Sequence, residues 1–449
     1  MSKSSSPRKK STVRHTRAIQ RDRITRQSVS PPAPAVEERL TELIHPATFA
    51  QVAEYQRLGL RERTLTLPVM VAFVLSLLWR QLGAVSEAVR VLQREGMLWT
   101  GKLNVSQQAI SERLRTFPHE LFEAVLLSVL PQMQTRWQQR QRPVPLCVQW
   151  GLRHFDQILA VDGSTLDSLL KKSGLLRDTE GTPLGGRIMA LLDVVSRLPH
   201  KILFEEDSKA HDQSFWEAIL DNLLPNTLLL FDLGFLNFAS FDRLCEKGMG
   251  FLTRAKSNTV CKVVTVLRDT RTLKESLVRV GTGANACQHT LRLVEVWHKE
   301  QWYRYLTNVC EPETLPAEVV VALYWQRWRI EDAFLVVKRL LGLSYFYASS
   351  PNGVQVQVWA TWLLYAVLTD LCDEVANTMS LPLACISFEM VYRGLYHYTQ
   401  AYHRGEASDP VAYLCAKENK DLGIVKRSRK GQSTEILEMN IPPLPLTCD

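Results

Sequence analysis

Two aspartates close apolar runs in this chain: Asp162 in LAVDG and Asp232 in LLLFDLG, each with a glycine on its far side. Such runs read as β-strands, which places both carboxylates at the carboxyl edge of a sheet. Ligands and catalytic groups gather at these edges in open α/β sheets, because strand ends present side chains to a crevice while the sheet holds them rigid. Asp-Gly is also a strong turn signal, and either aspartate taken alone is more readily explained as the start of a turn. A third group comes from YWQRWRIEDAFLVVKRLLG, beginning at Tyr324. At about 100° per residue, Tyr324, Arg327, Glu331 and Lys338 fall at roughly 0°, −60°, −20° and −40°, one narrow polar stripe on a helix. Ile330, Ala333, Phe334, Val337 and Leu341 fill the opposite side, so the helix is expected to pack on a core and turn the stripe outward. The stripe suits a phosphate: arginine grips it with two parallel hydrogen bonds, lysine gives a point charge, and a tyrosine hydroxyl donates one bond. As a plain solvated face it reduces to an Arg327–Glu331 pair worth a few tenths of a kcal/mol, which leaves Tyr324, Trp325 and Trp328 without a role.

The spacing Tyr324-x2-Arg327-x3-Glu331-x6-Lys338 resembles the Y-R-E-K signature of DDE transposases of the insertion-sequence-four family. Asp162 and Asp232 match that family's first and second carboxylates in context and order. The resemblance covers about residues 155 to 372. It implies that Asp162, Asp232 and Glu331 are a catalytic, metal-holding triad on a ribonuclease-H-like fold, with a β-rich insertion before the helix that bears the glutamate. It also implies that Tyr324, Arg327 and Lys338 contact phosphates of the transposon end. Similar transposases place a tryptophan in the insertion to stack on a base drawn from the duplex. Trp297 in VEVWHKEQ is the preferred candidate here, with Trp302 nearby. Three carboxylates converging on one point cannot all stay charged unless a cation neutralises them, and hard oxygen ligands select Mg²⁺ or Mn²⁺. Two such ions, about 4 Å apart, would hold the attacking and leaving oxygens of an in-line phosphoryl displacement. The function implied is metal-dependent cleavage at element ends and strand transfer to target DNA. Two rivals stand beside it: a non-catalytic DNA-binding derivative of a transposase, and a stand-alone metal nuclease.

The elements that must position these groups are legible in the periodicity. Residues 1–36 form a Ser- and Arg-rich arm that ends at Pro31, Pro32 and Pro34, expected to be disordered. Residues 37–145 are helical throughout, and Val85 to Leu98 followed by Asn104 to Leu114, with Ser106 as N-cap, has the spacing of a helix-turn-helix. Short apolar runs at 158–166, 187–196, 201–207 and 227–235, with a capped helix over 211–225, predict the order β-β-β-α-β within 146–255. Residues 256–312 read as the β-rich insertion, 313–375 as the returning helices of the core, and 376–449 as C-terminal helices that help pair two protomers. The fold class is α/β: a ribonuclease-H-like core with an insertion, preceded by an all-α DNA-binding region. Asp193 ranks second for any metal role, His211-Asp212 reads as a helix cap, and Lys426, Arg427, Arg429 and Lys430 as a solvated basic run.

Composition bounds the rest. Of 449 residues, 46% are hydrophobic and 22% charged, which is globular and ample for a large core. The net charge is +8, and residues 1–30, with nine Lys or Arg against one Asp, carry all of it. The body is electrically neutral, so it must meet a polyanion such as DNA through local patches. The nine cysteines include no CxxC pair and no Cys/His cluster, which signals neither disulfides nor zinc. Leu67 to Trp79 and Val358 to Leu368 are too short for a bilayer crossing and read as core helices. Partners are then terminal inverted repeats and target DNA, a second copy in the synaptic complex, and no membrane. The resemblance implies a prokaryotic, cytoplasmic, nucleoid-associated setting.

Overall fold

The computed structural model of the chain describes residues 34–60, 63–166, 186–207, 209–283, 285–343, 346–348 and 350–426. Most of the basic arm, and Arg427, Arg429 and Lys430, lie outside the described residues. The chain divides into two compact units, residues 1–126, 167–184 and 337–364 in one and 127–166, 185–336 and 365–449 in the other.

The first unit is helical: α1 (Pro34–Ala50), α2 (Val52–Arg57), α3 (Leu67–Trp79), α4 (Val85–Arg94) and α5 (Gln107–Thr116). α3 is apolar almost all round and is buried from Met70 to Leu78, which makes it the hub against which amphipathic neighbours lay their apolar stripes. Pro68 opens it at a position where no backbone donor is needed. α5 begins at Ser106, whose hydroxyl accepts a hydrogen bond from the Ala109 amide at 3.1 Å. The preceding segment is tied back to α4 by Gln93, which donates to the Val105 carbonyl at 2.8 Å. Asn352 then closes the end of α5, donating to the carbonyls of Leu114 and Phe117 at 3.0 and 2.7 Å. Two helices, α6 (Glu120–Gln138) and α12 (Pro351–Thr378), have residues in both units.

The second unit is built on one ten-stranded sheet. Its elements are α7 (Leu146–Leu152), β1 (Gln157–Thr165), β2 (Arg187–Asp193), β3 (Pro199–Glu205), α8 (Trp216–Asp221), β4 (Thr227–Leu230), α9 (Phe238–Glu246), β5 (Gly250–Arg254), β6 (Cys261–Asp269), β7 (Leu273–Thr282), β8 (Asn285–Ala286), β9 (Leu291–His298), β10 (Gln301–Thr307), α10 (Ala317–Gln326), α11 (Trp328–Leu335), α13 (Phe388–His403) and α14 (Pro410–Cys415). The strand order is β3-β2-β1-β4-β5-β10-β9-β7-β6, with β8 beside β7. β1, β2 and β3 are antiparallel, whereas β4 runs parallel to β1 and β5 parallel to β4. β4 is buried along its whole length, as a parallel strand covered on both faces requires, and reads TLLL for that reason. Phe231, Phe235, Phe241 and Phe251 fill one face with Trp216; the rings of Phe241 and Phe251 approach to 4.5 Å.

The strands of residues 256–312 do not form a sheet of their own. They continue the core sheet, because β10 pairs antiparallel with β5 through Tyr305 to Thr307. The fully buried Arg292 on β9 pins this extension, donating to the Glu275 carboxylate of β7 and to the Leu315 carbonyl at 2.7 Å. A buried pair with an extra carbonyl acceptor satisfies both charges in a place that would not tolerate either alone. Among the described residues no helix is long and apolar enough to cross a membrane.

Candidate active site

β1 and β4 run in parallel with Gln157 opposite Thr227 and Ala160 opposite Leu230. Asp162 and Asp232 each follow the last of these paired residues by two positions, and they lie near enough that the charge of Asp232 raises the Asp162 carboxyl. Asp162 does not end its strand as its apolar run suggested: it lies within β1, opposite Ala190 of β2, because pairing with β2 carries the strand on to Thr165, whereas Asp232 lies two residues past β4 and caps a short turn. Asp162 accepts from the Gly163 amide at 2.8 Å, and Asp232 from the Gly234 amide at 2.7 Å. α11 packs against β1 and brings Glu331 to the same edge. Between the carboxylates lies the Arg327 guanidinium, 3.0 Å from Glu331 Oε1 and 3.5 Å from Asp162 Oδ2.

The helix that bears these groups is broken where the stripe was expected to run unbroken. α10 ends at Gln326, α11 starts at Trp328, and residues Val336 to Leu340 widen into a π-helical turn. Tyr324 and Arg327 are buried, not turned outward, because the stripe faces the ends of the chain's own strands. Lys338 lies half-buried in the π-helical turn. The wider turn shifts it off the 100° step that aligned it with Glu331.

Beside Asp232, a recess of about 160 Å³ is walled by Tyr303, Tyr305, Tyr324 and Trp328, with Arg254 and Arg327 at its polar side. The Tyr305 and Tyr324 rings meet edge to face at 5.3 Å, and the Arg327 guanidinium lies 5.1 Å from the Trp328 ring and 5.8 Å from that of Tyr324. Burial raises both phenols, so they remain neutral donors. Although burial works to lower it, Tyr324, Asp162 and Glu331 together hold the Arg327 guanidinium more firmly protonated.

The electrostatics show a shortage of positive charge. Burial pushes the Asp162 carboxyl up from 3.8 to about 7; Arg327 opposes that rise, and the charges of Asp232 and Glu331 add to it. A carboxyl kept that high by burial, with two further carboxyls adding to the rise, is one whose ionised form a nearby cation would favour. Among the described residues no three metal-ligating side chains stand close enough to hold an ion. Arg327 sits between two of the three expected ligands and supplies part of the missing charge. Yet its Nε and Nη1 are buried without a hydrogen-bond partner, so the guanidinium is incompletely used there. An all-carboxylate donor set, still under-neutralised with Arg327 in place, has the hard-oxygen chemistry that suits a divalent cation.

Other expected residues separate clearly. Trp297 and Trp302 face each other across the β9–β10 hairpin, ring centroids 5.4 Å apart, and remain 42% and 37% exposed. Their tight turn holds Lys299 and Glu300 at φ of 45° and 63°, a geometry usually left to Asn-Gly. Asp193 is used up in the β2–β3 turn, accepting from the Ser196 amide at 2.6 Å and the Ser196 hydroxyl at 2.7 Å. Asp212 is not the side-chain cap its position suggested. It pairs with Arg187 of β2, and a methyl group built on Gly234 would lie 3.1 Å from its Oδ2 and 3.0 Å from Asp232 Oδ1. The Arg187–Asp212 pair borders Gly163 beside Asp162, and Asp212 borders Gly234 beside Asp232. Sequence reading missed it because the partners lie 25 residues apart and no local spacing links them.

Residues 153–367 match the family described as the transposase DDE domain. The chain is 22% identical over 282 residues to a probable transposase for insertion sequence element IS5377 of Geobacillus stearothermophilus, covering 62% of this chain and 71% of that one. It is 29% identical over 198 residues to a putative transposase, y4zB, of Sinorhizobium fredii, covering 42% of this chain and 54% of the relative. A putative transposase for insertion sequence element IS4SA of Synechocystis is 25% identical over 178 residues, 38% of this chain and 49% of that one. The chain thus spans about half the length of the last two relatives.

Proposed function

We propose that this chain is a DDE transposase of the insertion-sequence-four type, its residues 153–367 matching the transposase DDE domain, and that Asp162, Asp232 and Glu331 are its catalytic carboxylates, acting on the phosphodiester at an element end. The observation that supports this reading is that the charges of both Asp232 and Glu331 reach the buried Asp162 carboxyl, with the Arg327 guanidinium 3.5 Å from Asp162 and 3.0 Å from Glu331. The core is ribonuclease-H-like: three antiparallel strands followed by two parallel ones in the order β3-β2-β1-β4-β5 support that assignment. Asp162, Asp232 and Glu331 would hold two Mg²⁺ or Mn²⁺ ions, which when bound would supply Lewis-acid polarisation of the phosphoryl group and an activated oxygen nucleophile.

The remaining residues bind and orient the DNA. Arg327 leaves the Asp162–Glu331 pair for a backbone phosphate, which frees both carboxylates to act as ligands and completes its own hydrogen bonding. Tyr324 donates its hydroxyl to the same stretch of backbone, and Lys338 adds charge further along. Water first breaks the strand at the element end and leaves a 3′-hydroxyl; that hydroxyl then displaces a phosphodiester oxygen of the second strand or of target DNA. Trp297 stacks on a base drawn from the duplex during the second-strand step. Trp297→Ala therefore lowers that step about tenfold or more, the scale of one lost stacking contact, while the first nick proceeds normally; gel analysis of end-labelled duplex separates the two. Residues 37–145 read the terminal inverted repeat, α4 and α5 among them, and the arm adds phosphate contacts. Two element ends require two protomers, and residues 376–449 help to join them.

The test is strand transfer. A pre-cleaved element end with a 3′-hydroxyl, incubated with the full chain and a divalent cation, yields covalent joining to a target duplex. Nicking without joining would make the protein a nuclease, and binding without either would make it a non-catalytic derivative.

A further inference from the structure

α11 carries chemistry on both of its faces. Glu331 points to the strand ends, while Arg329, two residues earlier and about 160° around the helix, lines a second recess of about 190 Å³ together with Arg197, Asp332, Ser387 and Lys426. We infer that this recess is a binding site for a phosphate-type oxyanion, supplied either by the DNA backbone or as free phosphate. The inference goes beyond the cleavage chemistry and holds whatever becomes of the triad.

Charge accounting carries it. Arg197 is only 5% exposed, yet its guanidinium has neither hydrogen bond nor ion pair among the described residues, only the Phe388 ring 5.9 Å away. Lys426 likewise has no ion pair among them. The two carboxylates at the wall are already engaged: Asp332 with Arg329 at 3.6 Å, and Glu389 with Arg393 at 2.6 Å. Arg197 and Lys426 therefore face one cavity with no anion within ion-pair distance of either among the described residues; Asp332, held by Arg329, offsets part of their charge from further away. Burial followed by the neighbouring Arg329 pushes the Arg197 guanidinium down to about 10, and burial followed by Arg197 lowers the Lys426 ammonium. An anion in the recess removes both penalties.

The backbone is built for the same guest. Arg197 sits in the β2–β3 turn at φ 60°, a left-handed conformation rare outside glycine. It is locked there by its amide donating to the Asp193 carbonyl at 2.8 Å and by the Tyr365 hydroxyl donating to its carbonyl at 3.0 Å. Ser387, at the wall, is the N-cap of α13, so the sixteen-residue helix directs its amino-terminal end to the recess. A helix N-terminus, a largely buried guanidinium and an ammonium together recognise a compact oxyanion, with arginine offering the two-pronged grip. A volume worth several waters admits such an ion with part of its hydration.

The test uses the full-length protein, Lys426→Ala and Arg197→Lys, with far-ultraviolet circular dichroism confirming that each variant is folded. Thermal unfolding is followed against inorganic phosphate, with sodium chloride holding ionic strength constant. The wild type gains stability saturably; both variants need about tenfold or more phosphate for the same gain. In parallel, the affinity of each protein for a duplex of arbitrary sequence is measured against salt. A slope shallower by about 0.9 in Lys426→Ala identifies a DNA phosphate as the occupant, while an unchanged slope alongside the phosphate effect identifies the free anion. Equal phosphate stabilisation of all three proteins, or no phosphate effect together with an unchanged slope, overturns the inference.

Discussion

Glu331→Gln abolishes metal-dependent cleavage of element-end DNA, lowering the rate on the order of a thousandfold or more, and leaves DNA binding nearly unchanged. The substitution keeps the side chain's shape and an oxygen that can still accept from the Arg327 guanidinium, which lies 3.0 Å from it. Glu331 sits on a helix whose core contacts come from Ile330, Ala333 and Phe334, so the fold does not depend on its charge. What is lost is the one negative charge that α11 contributes to the strand-end group. Cleavage by the purified variant at a rate near that of the wild type refutes the triad, whatever its binding does.

Asp162→Asn stabilises the metal-free protein above neutral pH. The folded state holds the Asp162 proton up to about 7, while the unfolded chain releases it near 3.8. Native protein therefore binds more protons than unfolded protein between those values, and stability falls as pH rises through that window. The part of stability linked to this proton is fully present below 3.8 and gone above about 7. The Asp162 side chain is only 18% exposed, so solvent screening is slight, and the loss is on the order of 4 kcal/mol. Asparagine has no proton to release, so its unfolding free energy escapes this decline. Urea unfolding from pH 4 to pH 8 in the presence of a chelator shows the two proteins converging at the acid end and separating at the alkaline end. Parallel curves would mean that Asp162 ionises in the native state as freely as in water.

Much of this architecture was legible because it is local. The β-branched and leucine-rich runs around Asp162 and Asp232 announce strands, and four residue types at fixed offsets from Tyr324 announce the transposase family, which the match over residues 153–367 bears out. The mixed α/β class followed from the same runs. Illegible features depend on contacts between distant segments. Nothing in the helix-forming sequence around Arg327 marks the break there, since the residue keeps helical angles of φ −52° and ψ −35°. The burial of Tyr324 and Arg327 is decided by strands that end far earlier in the chain. The π-helical turn at Val336 has no composition signal, and the pairing of β10 with β5 joins segments about fifty residues apart. Arg197 could not be singled out either: its isolation exists only once Phe388 and Lys426 have folded over it.

The central claim is that three carboxylates, remote in sequence, jointly hold divalent ions. Calorimetric titration of Mn²⁺ into the protein bound to pre-cleaved element-end DNA addresses it without relying on turnover. Wild-type complex binds the ion saturably, and Asp162→Asn, Asp232→Asn and Glu331→Gln each lose most of that binding. Undiminished Mn²⁺ binding in any one of the three would contradict the account.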